Sequence, residues 1–132
     1  MHITLEADYA VRIVNCLAQN NMRMDAKTLS GRTGVTLRFS LKILRKLVAE
    51  GIVHSYKGTQ GGYELARPAG DISVGEVVEA VQGPITISRC VGSDEFHCTR
   101  TDDTVCRFHK VYAEVAQMVR KKLYGVNFGS LQ

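Results

Sequence analysis

Apolar residues recur at helical spacing near the start of the chain, where Ala10, Ile13, Val14 and Leu17 share one face. Thr4 is placed to cap that helix, and Asn20-Asn21 to end it. Asp25 is placed to cap a short helix over 26–31, and Gly34 supplies a turn. Thr36 then opens a longer helix that Gly51 closes, with Leu37, Leu41, Leu44, Leu47 and Val48 as its apolar face. A short helix, a glycine turn and a longer capped helix follow the helix-turn-helix plan. Ile52-Val53-His54-Ser55-Tyr56 and Tyr63-Glu64-Leu65 read as two strands around the turn Lys57-Gly58-Thr59-Gln60-Gly61-Gly62, which makes the hairpin a wing.

Beyond the wing, Ser73-Val74-Gly75-Glu76 has capping-box form and opens a helix to about Gln82. Val74, Val77, Val78 and Val81 give that helix one apolar side, and Gly83-Pro84 stops it. Residues 85–104 show no periodicity. A last helix is expected from about Thr104 to Tyr124, with Phe108, Tyr112, Val115, Val119 and Leu123 as a stripe for a second copy of the chain. The fold expected is therefore mainly α: a winged helix-turn-helix with a two-stranded β wing and a long C-terminal dimerisation helix. Residues 1–84 form the winged part and 85–132 the cysteine-bearing loop and dimerisation helix of one compact domain.

A length of 132 residues, 45% hydrophobic and 23% charged, suits one globular domain. No signal peptide or membrane-spanning run is visible, so a soluble cytoplasmic protein is expected. Net charge is +4, but residues 23–67 alone carry nine basic and three acidic side chains. That imbalance points to a polyanion-binding module. Arg38, Lys42, Arg45 and Lys46 lie largely off the leucine face of the third helix, where phosphates or guanine edges can meet them. The glycines of the wing are not a nucleotide loop, because a strand follows them rather than a helix. Nor does any Ser/His/Asp set or carboxylate pair have the spacing an enzyme needs.

The cysteines are Cys16, Cys90, Cys98 and Cys106, the last three spaced by seven residues each. Zinc sites favour closer pairs, whereas three thiolates from one loop and a helix start suit an iron–sulfur cluster with a fourth ligand from elsewhere. Zinc and three unrelated loop cysteines are the other readings of the same spacing. Cys16, on the first helix, reads as a small buried hydrophobe.

Taken together, the opening Met-His-Ile-Thr-Leu-Glu-Ala-Asp-Tyr-Ala-Val-Arg, the wing Lys57-Gly-Thr-Gln-Gly-Gly-Tyr-Glu-Leu-Ala-Arg-Pro, the segment Asp71-Ile-Ser-Val-Gly-Glu-Val-Val and the cysteine triad resemble the bacterial IscR/NsrR family. The resemblance spans nearly the whole chain. It implies a homodimeric transcription regulator, a repressor, with an iron–sulfur cluster (4Fe-4S or 2Fe-2S) on Cys90, Cys98 and Cys106. Members of the family commonly space these cysteines by five residues rather than seven. The resemblance leaves two candidates for the fourth ligand. One is Asp8 of the partner subunit, supported by Arg12, and the other is His109, three residues after Cys106. It further implies promoter DNA bound by Thr36, Arg38, Ser40, Lys42 and Arg45 on the third helix and by Lys57 and Thr59 on the wing. Nitric oxide, redox state or iron and cluster status is then the signal. Two rivals remain: a metal-free, thiol-based redox repressor of the same fold, and a winged-helix adaptor that binds no DNA.

Overall fold

Four side chains set the starts of the first four helices. The backbone N–H of Ala7 donates to Thr4 Oγ1 at 3.1 Å, that of Thr28 to Asp25 Oδ1 at 2.7 Å, that of Phe39 to Thr36 Oγ1 at 3.3 Å and that of Glu76 to Ser73 Oγ at 3.1 Å. Each satisfies one of the donors that a helix leaves open at its first turn. Glu76 reaches back to the Ser73 N–H at 3.4 Å and completes the capping box. The computed structural model describes residues 2–92, 99 and 106–132 of the chain. These form α1 (Leu5–Asn20), α2 (Ala26–Thr33), α3 (Leu37–Ala49), β1 (Val53–Tyr56), β2 (Gly62–Leu65), α4 (Val74–Gln82), α5 (Arg89–Gly92) and α6 (Arg107–Tyr124).

Asn21 and Gly34 adopt the left-handed conformation that ends α1 and α2, so α2 runs two residues past the expected Gly31. The two strands pair antiparallel, Val53 opposite Leu65 and Tyr56 opposite Gly62. Met24 adds a bridge on the other side of β2, exchanging hydrogen bonds with Tyr63 at 2.9 and 2.7 Å. At Gly62, with φ 133°, a Cβ would lie 2.7 Å from the Met24 carbonyl oxygen, so only glycine lets the two backbones approach.

The core gathers Ile13, Val14 and Leu17 of α1, Leu29 of α2, Ile43, Leu44 and Leu47 of α3, Ile52, Val53, Ile72 and Val77. Phe128 is fully buried among them, although no periodicity announces it. The chain after α6 turns back along α4: the Val74 N–H donates to the Val126 carbonyl at 2.8 Å and the Phe128 N–H to the Ile72 carbonyl at 3.1 Å. The last residues therefore complete the core of the winged part, across the boundary expected at residue 84.

A smaller cluster joins Ala7, Val78 and Ile85 to Val119 and Leu123. This corrects the expectation for the long helix. The C-terminal half of its stripe packs within the chain, while Phe108, Tyr112 and Val115 remain exposed, together with Val111 and Met118. The start expected at Thr104 lies outside the described residues. Tyr124 packs its ring against Gly75, where a Cβ would lie 2.3 Å from Tyr124 Cδ2. Four residues at Arg89–Gly92 form a helical turn that the sequence pattern does not signal.

Candidate nucleic-acid interface and cysteine loop

α3 stands on the core through Ser40, Ile43, Leu44 and Leu47, all fully buried. Two of the leucines assigned to its docking face are not there: Leu37 is 44% and Leu41 41% exposed. Ser40, expected at the DNA, is also corrected. Its hydroxyl faces inward and donates to the Val35 carbonyl at 3.4 Å, so no ligand reaches it. Small size lets a serine occupy a core-facing position when a carbonyl is there to receive its proton.

Arg38, Lys42 and Arg45 share the outward face, and with Phe39 and Leu41 they line a shallow cleft of about 600 Å³. Lys42 lies 3.8 Å from Glu6 but is still more than half exposed. Lys46 is an anchor instead: it pairs with Glu6 at 2.9 Å and donates to the Val81 carbonyl at 3.3 Å, tying α3 to α1 and α4. Thr36, its hydroxyl used as the cap, sits exposed at the N-terminal end of α3, where the helix dipole favours an anion.

Lys57 and Thr59 are exposed in the turn of the wing. The turn is held by a residue that charge counting does not single out. Arg23 stacks its guanidinium on the Tyr56 ring, donates to the Gln60 carbonyl and lies 3.9 Å from Glu64. Tyr56 in turn donates to Glu64 at 2.5 Å, and that hydrogen bond, with some desolvation, raises the phenol's pKa.

Asp8 and Arg12 form an ion pair one turn apart on α1, at 2.8 Å and about half exposed. Arg12 also lies over the Tyr9 ring, 5.3 Å from its centroid, and Tyr9 meets Phe39 of α3 edge-on at 6.0 Å. Cys106 is the N-cap residue of α6, and its Sγ accepts the His109 N–H at 3.5 Å. A helix N-terminus favours the thiolate. The His109 side chain is exposed one turn further on. Cys90 is half-buried on α5, which packs beside α6, and its Sγ is 3.2 Å from Ser88 Oγ. Cys98 lies outside the described residues. Among the described residues no three His, Cys, Asp or Glu side chains come together as a metal site. Cys16 is buried as expected, and burial pushes its thiol up against the pull of Arg32.

The root of the cysteine loop is tied by Glu79. It accepts the Ile85 N–H at 2.9 Å, the Tyr124 hydroxyl at 2.5 Å and Arg120 Nε at 3.1 Å. Desolvation alone would raise its pKa, but the hydrogen bonds from Tyr124 and Ile85 and the charge of Arg120 hold it below the usual carboxylate value.

A capped outward helix followed by a two-stranded hairpin on one three-helix core defines a winged helix-turn-helix protein. Solved structures with this fold include the global cysteine regulator CymR of B. subtilis, with a TM-score of 0.80 over 100% of this chain and 98% of that one at 18% identity. T. potens IscR gives 0.78 over 99% and 85% at 21% identity. The chain belongs to the Rrf2 family, described as iron-dependent transcriptional regulators, whose profile matches residues 3–132. It is a family of regulators, not of enzymes. A helix-turn-helix-type transcriptional regulator of Mycobacterium tuberculosis is 36% identical over 94 residues, and the match covers 70% of this chain and 58% of that relative. IscR of Klebsiella pneumoniae is 29% identical over 133 residues, covering 99% of this chain and 79% of that relative. No helix among the described residues is long and apolar enough to cross a membrane.

Proposed function

We propose that the protein is a homodimeric, cytoplasmic transcription repressor that binds promoter DNA and whose affinity is set by an iron–sulfur cluster. The observation that carries the DNA part is the shared outward face of Arg38, Lys42 and Arg45, beside a wing whose Lys57 and Thr59 are exposed. Arg38 and Arg45 meet base edges and phosphates in the major groove, and Lys57 and Thr59 meet the backbone alongside. The exposed N-terminal half of the α6 stripe, from Phe108 to Met118, packs on a second copy.

Support for the cluster comes from the donors. Cys106 has the placement that stabilises a thiolate, Cys90 lies on the helix beside it, and soft thiolates are what iron–sulfur clusters take. Cys90, Cys98 and Cys106 hold the cluster, completed by Asp8 of the partner subunit with Arg12 in support, or by His109. When bound, the cluster supplies iron that reacts with nitric oxide and oxidants. Arg12 orients the Asp8 carboxylate, and Glu79 holds the end of the loop at Ile85.

Cys106 also favours a second reading, the metal-free redox repressor, because a thiolate at a helix N-terminus oxidises readily. Anaerobic purification, with visible absorption, iron and acid-labile sulfide measured on one sample, separates the two. The expected result is iron and sulfide together, lost in Cys98→Ser, with Asp8→Ala and His109→Ala then identifying the fourth ligand. A colourless, iron-free protein that binds DNA overturns the cluster in favour of the thiol switch.

A further inference from the structure

The outward face of α3 is not purely cationic. Leu41 and Leu37 belong to it as 41% and 44% exposed side chains, and neither contributes to the core of the chain. At 3.6 residues per turn, Leu41 lies about 40° around the helix from Arg45 and about 60° from Arg38. Both arginines lie on the same side of it, so Leu41 flanks the cationic stripe at its edge, within the same cleft. The cleft shared by Arg38, Phe39, Leu41, Lys42 and Arg45 pairs three positive charges with two apolar groups.

A purely electrostatic, sequence-blind contact draws nothing from Phe39 and Leu41 lining the same cleft as the cations. A ligand that satisfies both parts must carry closely spaced negative charges on its rim and apolar knobs on its floor. Double-stranded DNA does so in the major groove, where the thymine C5 methyl is the apolar group on the base edges.

Resting on the DNA-binding reading above, we infer that Leu41 is a specificity-determining residue that packs on a thymine methyl, with Leu37 at the neighbouring position. The operator then carries a thymine in each half-site at the base pair next to the one Arg38 or Arg45 reads. Selectivity at that position comes from burying a methyl group, not from a hydrogen bond. Cytosine is rejected because it lacks the methyl. Uracil, which differs from thymine only by that group, is rejected for the same reason.

The test starts from duplexes selected from a random pool by the full-length chain, with each thymine replaced in turn by deoxyuridine. One or two positions per half-site are expected to lose affinity about fourfold, the factor that burial of one methyl gives. Leu41→Ala is expected to bind thymine and deoxyuridine duplexes equally at that position. Arg38→Ala is expected to bind more weakly yet keep the discrimination. Leu41 is exposed, so its replacement leaves the core intact. Tight binding that is indifferent to deoxyuridine at every position overturns the inference and leaves the DNA reading standing. So does a Leu41→Ala variant that still discriminates fourfold. A protein that binds no duplex in a salt-dependent way overturns the DNA reading itself and this inference with it.

Discussion

The guanidinium of Arg23 sits 3.4 Å from the centre of the Tyr56 ring and donates to the Gln60 carbonyl at 3.0 Å. One side chain from the segment before α2 thus grips both a strand and the turn of the wing. Such a stacked cation at an exposed site is worth about 0.5–1 kcal/mol. Arg23→Ala is expected to weaken DNA binding about two- to fivefold, the equivalent of that energy. Arg23→Lys is expected to behave like the alanine variant, because an ammonium keeps the charge but not the planar fork. Faster hydrogen exchange at Lys57–Gly61 with an unchanged global midpoint checks the assignment. A lysine variant with full affinity shows that only charge matters here.

Lys57 and Arg38 are expected to fail differently. Lys57→Ala should lower affinity on all sequences and reduce the slope of log K against log salt by about 1. Arg38→Ala should relax preference at one base pair, by about 1–3 kcal/mol for a bidentate guanine contact. Titrations on matched and mismatched duplexes at several salt concentrations distinguish them. A uniform loss in both variants removes Arg38 from the base readers.

Glu79 links pH to stability. Its folded pKa is depressed below the ordinary glutamate value of about 4.3, so its contribution is present above that value and fades as pH falls through the lower folded one. Urea unfolding across the acidic range should show Glu79→Gln less sensitive to acid than the parent. Glu79→Ala, which orphans Tyr124, Arg120 and the Ile85 N–H together, is expected to cost about 1–3 kcal/mol at neutral pH. Identical acid limbs for parent and glutamine variant rule out Glu79 as the group responsible.

Phe128 belongs to the core as fully as Ile13 or Leu47. Phe128→Ala is expected to destabilise by about 3–5 kcal/mol, and Phe128→Leu by less than about 2. Thermal or urea denaturation measures both. An alanine variant as stable as the parent means that the tail is an appendage.

The four caps were legible in the sequence because a Ser, Thr or Asp before an apolar-periodic run has one local use, and Thr4, Asp25, Thr36 and Ser73 each have it. The wing was legible for the same reason, its glycines and strand residues being neighbours in the chain. Leu37 and Leu41 were misassigned because periodicity counts a leucine as inward wherever it stands. Ser40 took their place through a carbonyl five residues earlier, which no hydropathy pattern displays. Phe128 and Arg23 act over long sequence separations, 56 residues from Phe128 to Ile72 and 37 from Arg23 to Gln60, where local pattern is silent. Of the cysteine site, the spacing and the nearness of Cys106 to a helix start could be read, and the capping role of its sulfur could not.

Gly75 and Tyr124 turn α6 into a lever. Its C-terminal half is gripped by the Tyr124 ring on Gly75, by Arg120 on Glu79 and by Val119 and Leu123 against α4, while Phe108 and Val111 of its first turns stand exposed. Eighteen residues at 1.5 Å each make an arm about 27 Å long. A tilt of about 5° at that fulcrum carries the far end, where Cys106 sits, through about 2 Å. The contact there is close, since a Cβ added at Gly75 would clash with the Tyr124 ring. Lys46, through the Val81 carbonyl, joins the same α4 to the helix that carries Arg38 and Arg45.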